Sequence, residues 1–165
     1  MHTPTPPFRI GLGYDIHPLV SGRPCVLGGV SIPSDVGPDG HSDADVLLHA
    51  AADAVLGAAG LRDIGHYFPN TDPALRGLDS SAILRRAVAE AKAHGGWLIG
   101  NLDIVIIGEK PKVMAYVEAM KLKVGEIAGI SPGQVGIKAT TNEGMDSIGQ
   151  GKALAVQAVC LLYRG

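Results

Sequence analysis

Two cysteines in 165 residues, Cys25 and Cys160, are too few and too far apart for the disulfide framework of a small secreted scaffold. Both lie in apolar runs, PCVLGG and AVQAVCLLYR, and read as buried thiols of a reducing cytoplasm. Aromatic residues make up only 4% and the formal net charge is -2, so the chain offers neither a base-stacking platform nor a basic stripe. Nucleic-acid binding is not expected. No apolar run reaches the roughly 18 residues of a membrane span. The opening MHTPTPPF has neither the charged and apolar regions of a signal peptide nor the bias of a transit peptide. GLGYD holds Gly11 and Gly13 but no third glycine where a dinucleotide-binding turn needs one, and no Gly-x-x-x-x-Gly-Lys phosphate loop occurs. A nucleophile elbow is missing too, which leaves covalent serine catalysis without support.

What is present is an apolar fraction of 46%, enough for one core, and 23 glycines. That is about twice the usual ~7% usage and has no repeating period. Residues 1–8, rich in Pro and Thr, are expected to be a disordered segment ahead of one domain spanning 9–165. FRIGLGYDIH alternates as a strand that Pro18 closes. CVLGGVSIP reads as a second strand broken by a Gly pair, a candidate hairpin partner of the first. VGPDGHSD is expected to be loop. A helix follows from Asp43 to about Gly60, capped by Ser42 or Asp43.

RDIGHYFPNTDPALRGL reads as a long irregular loop, and such loops in compact domains are usually functional. DSSAILRRAVAEAKAHGG is a helix with Asp79 or Ser80 as cap and Gly95 as stop. The β-branched run Ile104 to Ile107 predicts a strand buried on both faces. Pro111 opens a helix through MAYVEAMKLKVGEIAG. VGIKATT is a strand and NEGMDSIGQG a Gly-rich loop; KALAVQAVCLLYRG, with poor alternation, fits strand or helix. The order of elements predicts an α/β domain of the α+β type, a mixed sheet packed against helices.

Asp15 and His17, two apart on a strand, project from one face and can share a ligand. His49 on the first helix supplies a third donor, and imidazole with carboxylate suits zinc. Three protein ligands leave a position for water or substrate. Asp45 and Asp53, four residues either side of His49, are expected to be acceptors that fix its ring. An Asp-x-His pair alone is a weak motif; the neighbouring HSDAD loop strengthens it. In KATTNEG, the hydroxyls of Thr140 and Thr141 suit phosphate oxygens, and Glu143 suits a hard cation such as Mg2+. Lys110 and Lys112 in EKPK are further point charges for phosphate.

Five segments taken together carry a resemblance: RIGLGYDIHPL, LGGVSIP, HSDADVLLHAAADAVLGAAGLRDIGHYFPNTDP, DIVIIGEKPK and IKATTNEGMDSIGQG. In order and spacing they resemble the 2-C-methyl-D-erythritol 2,4-cyclodiphosphate synthase family of non-mevalonate isoprenoid synthesis. The resemblance covers nearly the whole chain after residue 8. It implies conversion of 4-diphosphocytidyl-2-C-methyl-D-erythritol 2-phosphate into the cyclic diphosphate with release of CMP, by a cytoplasmic homotrimer whose active sites lie between subunits. By match of motif it implies zinc on Asp15, His17 and His49, and Mg2+ or Mn2+ on Glu143. Thr141 is counted among the catalytic residues. His41, Ser42, Asp63, Ile64, Gly65, Phe68, Pro69, Asn70, Thr71 and Asp72 would contact the methylerythritol phosphate part. Gly108, Pro111, Lys112, Thr140 and Thr141 would hold the cytidine diphosphate part from the neighbouring subunit.

Many members of the family carry Arg where this chain has Gln150, an aromatic residue near Ser147, and Asp in place of Asn70. The first two positions line a trimer-axis cavity that takes isoprenoid diphosphates, so the resemblance does not carry that binding over. Two rival classes stand beside the synthase: a metal-dependent phosphohydrolase using metal-bound water, and a catalytically silent trimer that holds a ligand.

Overall fold

In the computed structural model, which describes residues 6–165, the alternating opening segment becomes a 14-residue strand, β1 (Phe8–Ser21). The expectation for residues 1–5 lies outside the described residues. Phe8 is already paired with Tyr163, and the Pro7 carbonyl accepts from Arg164 N at 3.0 Å. Pro18 does not end β1 either. It sits where the strand leaves one neighbour for another, a place that tolerates a residue without an N–H.

The Gly pair makes a hairpin of its own. β2 (Cys25–Leu27) and β3 (Val30–Ile32) pair with each other as a separate two-stranded sheet, not with β1. Gly28 and Gly29 both take positive φ, 59° and 72°, the backbone that a two-residue hairpin turn requires. Part of the expected VGPDGHSD loop is a short edge strand, β4 (Val36–Pro38), on the end of β1.

Helix α1 (Val46–Ala59) is buried along almost its whole length. Asp45, not Ser42 or Asp43, caps it by accepting from Leu48 N at 3.1 Å. The same carboxylate accepts from Gly28 N and Gly29 N, which ties the hairpin turn to the start of the helix. The expected long loop carries a single turn, α2 (Ile64–Tyr67), and a 3-10 turn at Pro73–Leu75. Helix α3 (Ser81–Gly95) ends on Gly96 in the left-handed conformation, one residue beyond the expected stop.

Strand β5 (Leu98–Ile107) is buried on one face, through Ile99, Leu102, Ile104 and Ile106, while Val105 and Ile107 are only half-covered. Helix α4 (Val117–Ala128) begins later than Pro111, which follows a cis peptide bond and precedes a 3-10 turn at Met114–Tyr116. Strand β6 (Val135–Thr140) runs parallel to β5, and the Gly-rich loop beyond it contains a four-residue turn, α5 (Asp146–Gly149). The ambiguous last segment is a strand, β7 (Ala153–Tyr163).

The main sheet has the order β4-β1-β7-β5-β6 and is antiparallel except for β5 and β6. It is the expected mixed sheet. The long helices pack on one face, with α1 against β1 and β7. That packing is close because β1 presents Gly11 and Gly13 to the helix. A Cβ on Gly11 would overlap the Ala54 carbonyl oxygen, and one on Gly13 the Ala50 carbonyl oxygen. The other face of the sheet is open. Along β1 it shows Phe8, Ile10, Leu12, Tyr14 and Ile16, and the facing rows on β7 and β5 add Val159, Tyr163 and Leu98.

A candidate metal centre and its cavity

The close seat of α1 on β1 brings His49 beside the two strand residues. Asp15 and His17 face the helix, in register with Gly11 and Gly13 on the same side of β1. Asp15 Oδ2 lies 3.0 Å from His17 Nε2 and 3.0 Å from His49 Nδ1. One ligand atom from each of the three lies within 4.8 Å of the other two, the arrangement that can hold a metal ion.

Electrostatics favour a cation there. Burial works against a charge on Asp15, but the two imidazoles hydrogen-bonded to it outweigh burial and hold its carboxyl below the usual range. The protonated His17 ring donates to Asp15, which raises His17 above its ordinary value, so a proton and a metal ion compete for one place. The donor set fits a metal. His17 Nδ1 donates to the Asp39 carbonyl at 2.7 Å, so in the neutral ring the bare Nε2 faces the Asp15 carboxylate, acceptor against acceptor. Two imidazole nitrogens and a carboxylate oxygen form a three-ligand set with an open fourth position.

The open side faces a cavity of about 310 Å³ lined by Asp15, His17, His41, Ser42, His49, Ile64, Gly65, Phe68 and Asn70, with apolar backing from Leu75, Leu78 and Ile83. Its walls are two loops fastened to each other. His41 Nε2 bonds the Asp72 carbonyl at 3.1 Å, and the His41 carbonyl accepts from Gly77 N at 2.9 Å. Arg23 holds the first loop from behind, donating to the carbonyls of Pro38, Gly40 and Ser42 and pairing with Asp39.

The family follows from comparison with known proteins. The model of the YgbB family matches residues 8–163. A 2-C-methyl-D-erythritol 2,4-cyclodiphosphate synthase of Bordetella petrii is 52% identical over 158 residues, 96% of this chain and 97% of its own. The chain belongs to the YgbB family. Among solved structures, a 2C-methyl-D-erythritol-2,4-cyclodiphosphate synthase superposes with a TM-score of 0.85 at 38% identity, covering 93% of this chain and 99% of that one. The IspF of Plasmodium falciparum, solved as its CDP complex, gives 0.82 at 33% identity, covering 94% and 96%.

The residues expected to contact substrate divide in this chain between two places. Asp63, Pro69, Thr71 and Asp72 belong to the cavity loop but do not line it; Asp72 instead caps the 3-10 turn through Ala74 N at 2.9 Å. Gly108, Pro111, Lys112, Thr140 and Thr141 line a second cavity of about 170 Å³, at the ends of the parallel strands β5 and β6. No residue lines both. Glu143 lines neither; it is exposed, has φ 53°, and makes no ion pair among the described residues.

The expected roles of Asp45 and Asp53 are overturned. Asp45 spends its oxygens on the hairpin and the helix start, and Asp53 accepts from Ile64 N at 2.8 Å, anchoring the cavity loop. Burial raises the Asp53 carboxyl above its ordinary value. What touches the far side of the His49 ring is Ser80 Oγ, 2.8 Å from Nε2, with Ser42 Oγ at 3.2 Å. Ser80 was visible in the sequence only as a helix cap.

Proposed function

We propose that this chain converts 4-diphosphocytidyl-2-C-methyl-D-erythritol 2-phosphate into 2-C-methyl-D-erythritol 2,4-cyclodiphosphate and CMP. The observation that carries the reading is the convergence of Asp15, His17 and His49 on one point at the edge of the cavity they line, in a chain of this family. An oxygen of the 2-phosphate attacks the β-phosphorus. The bond from that phosphorus to the oxygen bridging it to the α-phosphate breaks, and CMP leaves with the electron pair. The substrate supplies its own nucleophile, so the protein's task is to hold it folded and in line.

His41, Ser42 and the loop from Asp63 to Asp72, including Ile64, Gly65, Phe68, Pro69, Asn70 and Thr71, grip the methylerythritol phosphate end. Gly108, Pro111, Lys112, Thr140 and Thr141 of a neighbouring copy grip the cytidine diphosphate end. Zn2+ on Asp15, His17 and His49, with Mg2+ or Mn2+ held by Glu143, would supply polarisation of the β-phosphate and neutralisation of the leaving phosphate.

A trimer accounts for two features at once. It joins the two separate cavities into one site across a subunit boundary, and it covers the open sheet face, where Ile10 and Leu12 are each 66% exposed. A cytoplasmic location is supported by Cys25 and Cys160, both free and buried. No described helix is long and apolar enough to cross a membrane.

Phosphorus NMR of the purified protein with Zn2+, Mg2+ and the cytidyl substrate tests the reading. CMP together with a cyclic diphosphate signal is expected. Inorganic phosphate without the cyclic product would replace the synthase by a hydrolase, and bound zinc without turnover would leave a binding protein.

A further inference from the structure

A chain of polar groups behind His49 sets which of its ring nitrogens is bare. Ser80 is fully buried and stands at the N-cap of α3, where a serine hydroxyl normally accepts from the helix N–H groups. Here it makes no capping bond and its backbone is already helical, φ -64° and ψ -12°. The hydroxyl is turned the other way, between Asp43 Oδ1, with which it makes a short hydrogen bond, and His49 Nε2 at 2.8 Å. Asp43 is held by Ser80 N at 3.1 Å on its other oxygen and accepts from Asp45 N at 3.1 Å.

The direction of these bonds follows from what each group can do. A carboxylate only accepts, so the Ser80 O–H donates to Asp43. The Ser80 oxygen is then left as an acceptor, and the His49 nitrogen facing it must be the one that carries hydrogen. Ser42 Oγ, 3.2 Å from the same nitrogen, already accepts from Ala44 N and has its own proton free for Ser80 Oγ at 3.5 Å. Neutral His49 is thereby held with hydrogen on Nε2 and a lone pair on Nδ1, the atom 3.0 Å from Asp15 Oδ2.

We propose that Ser80, oriented by Asp43, is a positioning residue that fixes the tautomer and ring orientation of His49 for metal binding. This rests on the metal reading of Asp15, His17 and His49. Neither residue touches the ion or the substrate; both act through the ring. Partners of this kind behind a ligating histidine are worth about 10- to 100-fold in metal affinity.

The test has two arms. In zinc-free wild-type protein, at a pH where the His49 ring is neutral, long-range proton–nitrogen correlation spectra should show its hydrogen on Nε2; a neutral ring with its hydrogen on Nδ1 overturns the proposal without any variant. In the second arm, zinc affinity is measured by chelator competition for wild type, Ser80→Ala and Asp43→Asn. Ser80→Ala should weaken zinc binding about 10- to 100-fold and shift the His49 ring to a mixture of tautomers. Asp43→Asn, whose amide can donate to Ser80 and reverse the chain, should do the same to a smaller degree. A purely structural serine would lower the thermal midpoint while leaving the ring spectrum and the zinc affinity of the folded fraction unmoved, and that result overturns the proposal. If Ser80→Ala does not fold, unchanged affinity and ring spectrum in Asp43→Asn decide against it. Wild type that takes up no zinc would sink the metal reading itself, a separate failure.

Discussion

The two faces of β1 differ in kind although they alternate residue by residue along one strand. Toward α1 it shows Gly11, Gly13, Asp15 and His17, two residues with no side chain followed by two with chemistry. Away from α1 it shows Ile10, Leu12, Tyr14 and Ile16, all exposed in the single chain. The usual pattern of a half-buried strand is apolar inward and polar outward; here it is inverted. The inner face needs nearness to the helix more than it needs apolar volume, while the apolar volume sits outside, on the open face of the sheet. The candidate metal ligands and the exposed apolar row thus lie on opposite sides of the same 14 residues.

The most damaging way to break the inner face is Gly13→Ala. Overpacking costs about 1–3 kcal/mol where side chains can shift, but here the obstruction is the backbone carbonyl of Ala50. A loss of at least about 3 kcal/mol in denaturant titration, or no soluble protein, is expected. Stability close to wild type would mean that the helix seat is looser than described.

The outer face should fail differently. Leu12→Lys places a charge on the open sheet and should convert a trimer to monomers in light scattering. Zinc content should be retained, while turnover falls about 100-fold or more because the two halves of the site are no longer held together. Zinc loss in that variant would show that the faces are not independent.

The mildest test compares neighbours on β7. Cys160 is fully buried on the inner side, and burial pushes its thiol up to about 12; burial, with the Asp45 charge added, pushes Cys25 up to about 11. At pH 8 both should resist a thiol reagent until the protein unfolds, because the thiolate is the reactive form. A cysteine introduced by Val159→Cys, one residue away on the open face, should label quickly in the Leu12→Lys background and slowly in the trimer.

The same inversion explains how much of the fold and the site is legible in the sequence. The spacing of Asp15 and His17 needed only strand alternation, and His49 lay on a helix whose apolar spacing was unambiguous. β7 stayed undecided between strand and helix because Val159 and Leu161 on its outer side are as apolar as Cys160 and Leu162 within, so no two-residue period stands out. Asp45 and Asp53 depart from the roles their spacing suggests for another reason. Helical spacing places them near His49, but their partners, Gly28, Gly29 and Ile64, come from segments that no local pattern connects to them. The hairpin was legible in principle, since two adjacent glycines between short β-branched runs are a turn signal. Ser80 was not, because nothing local tells a capping serine from one whose hydroxyl is turned away.

Because α1 rests on β1 through main-chain atoms, the gap between the elements that carry the ligands has no adjustable spacer. Swapping core side chains elsewhere can tilt loops or reshape the cavity, yet it cannot widen the jaw formed by Asp15, His17 and His49. A jaw of fixed width selects by ionic radius and preferred geometry. The loops around it can move without changing the spacing of those three side chains.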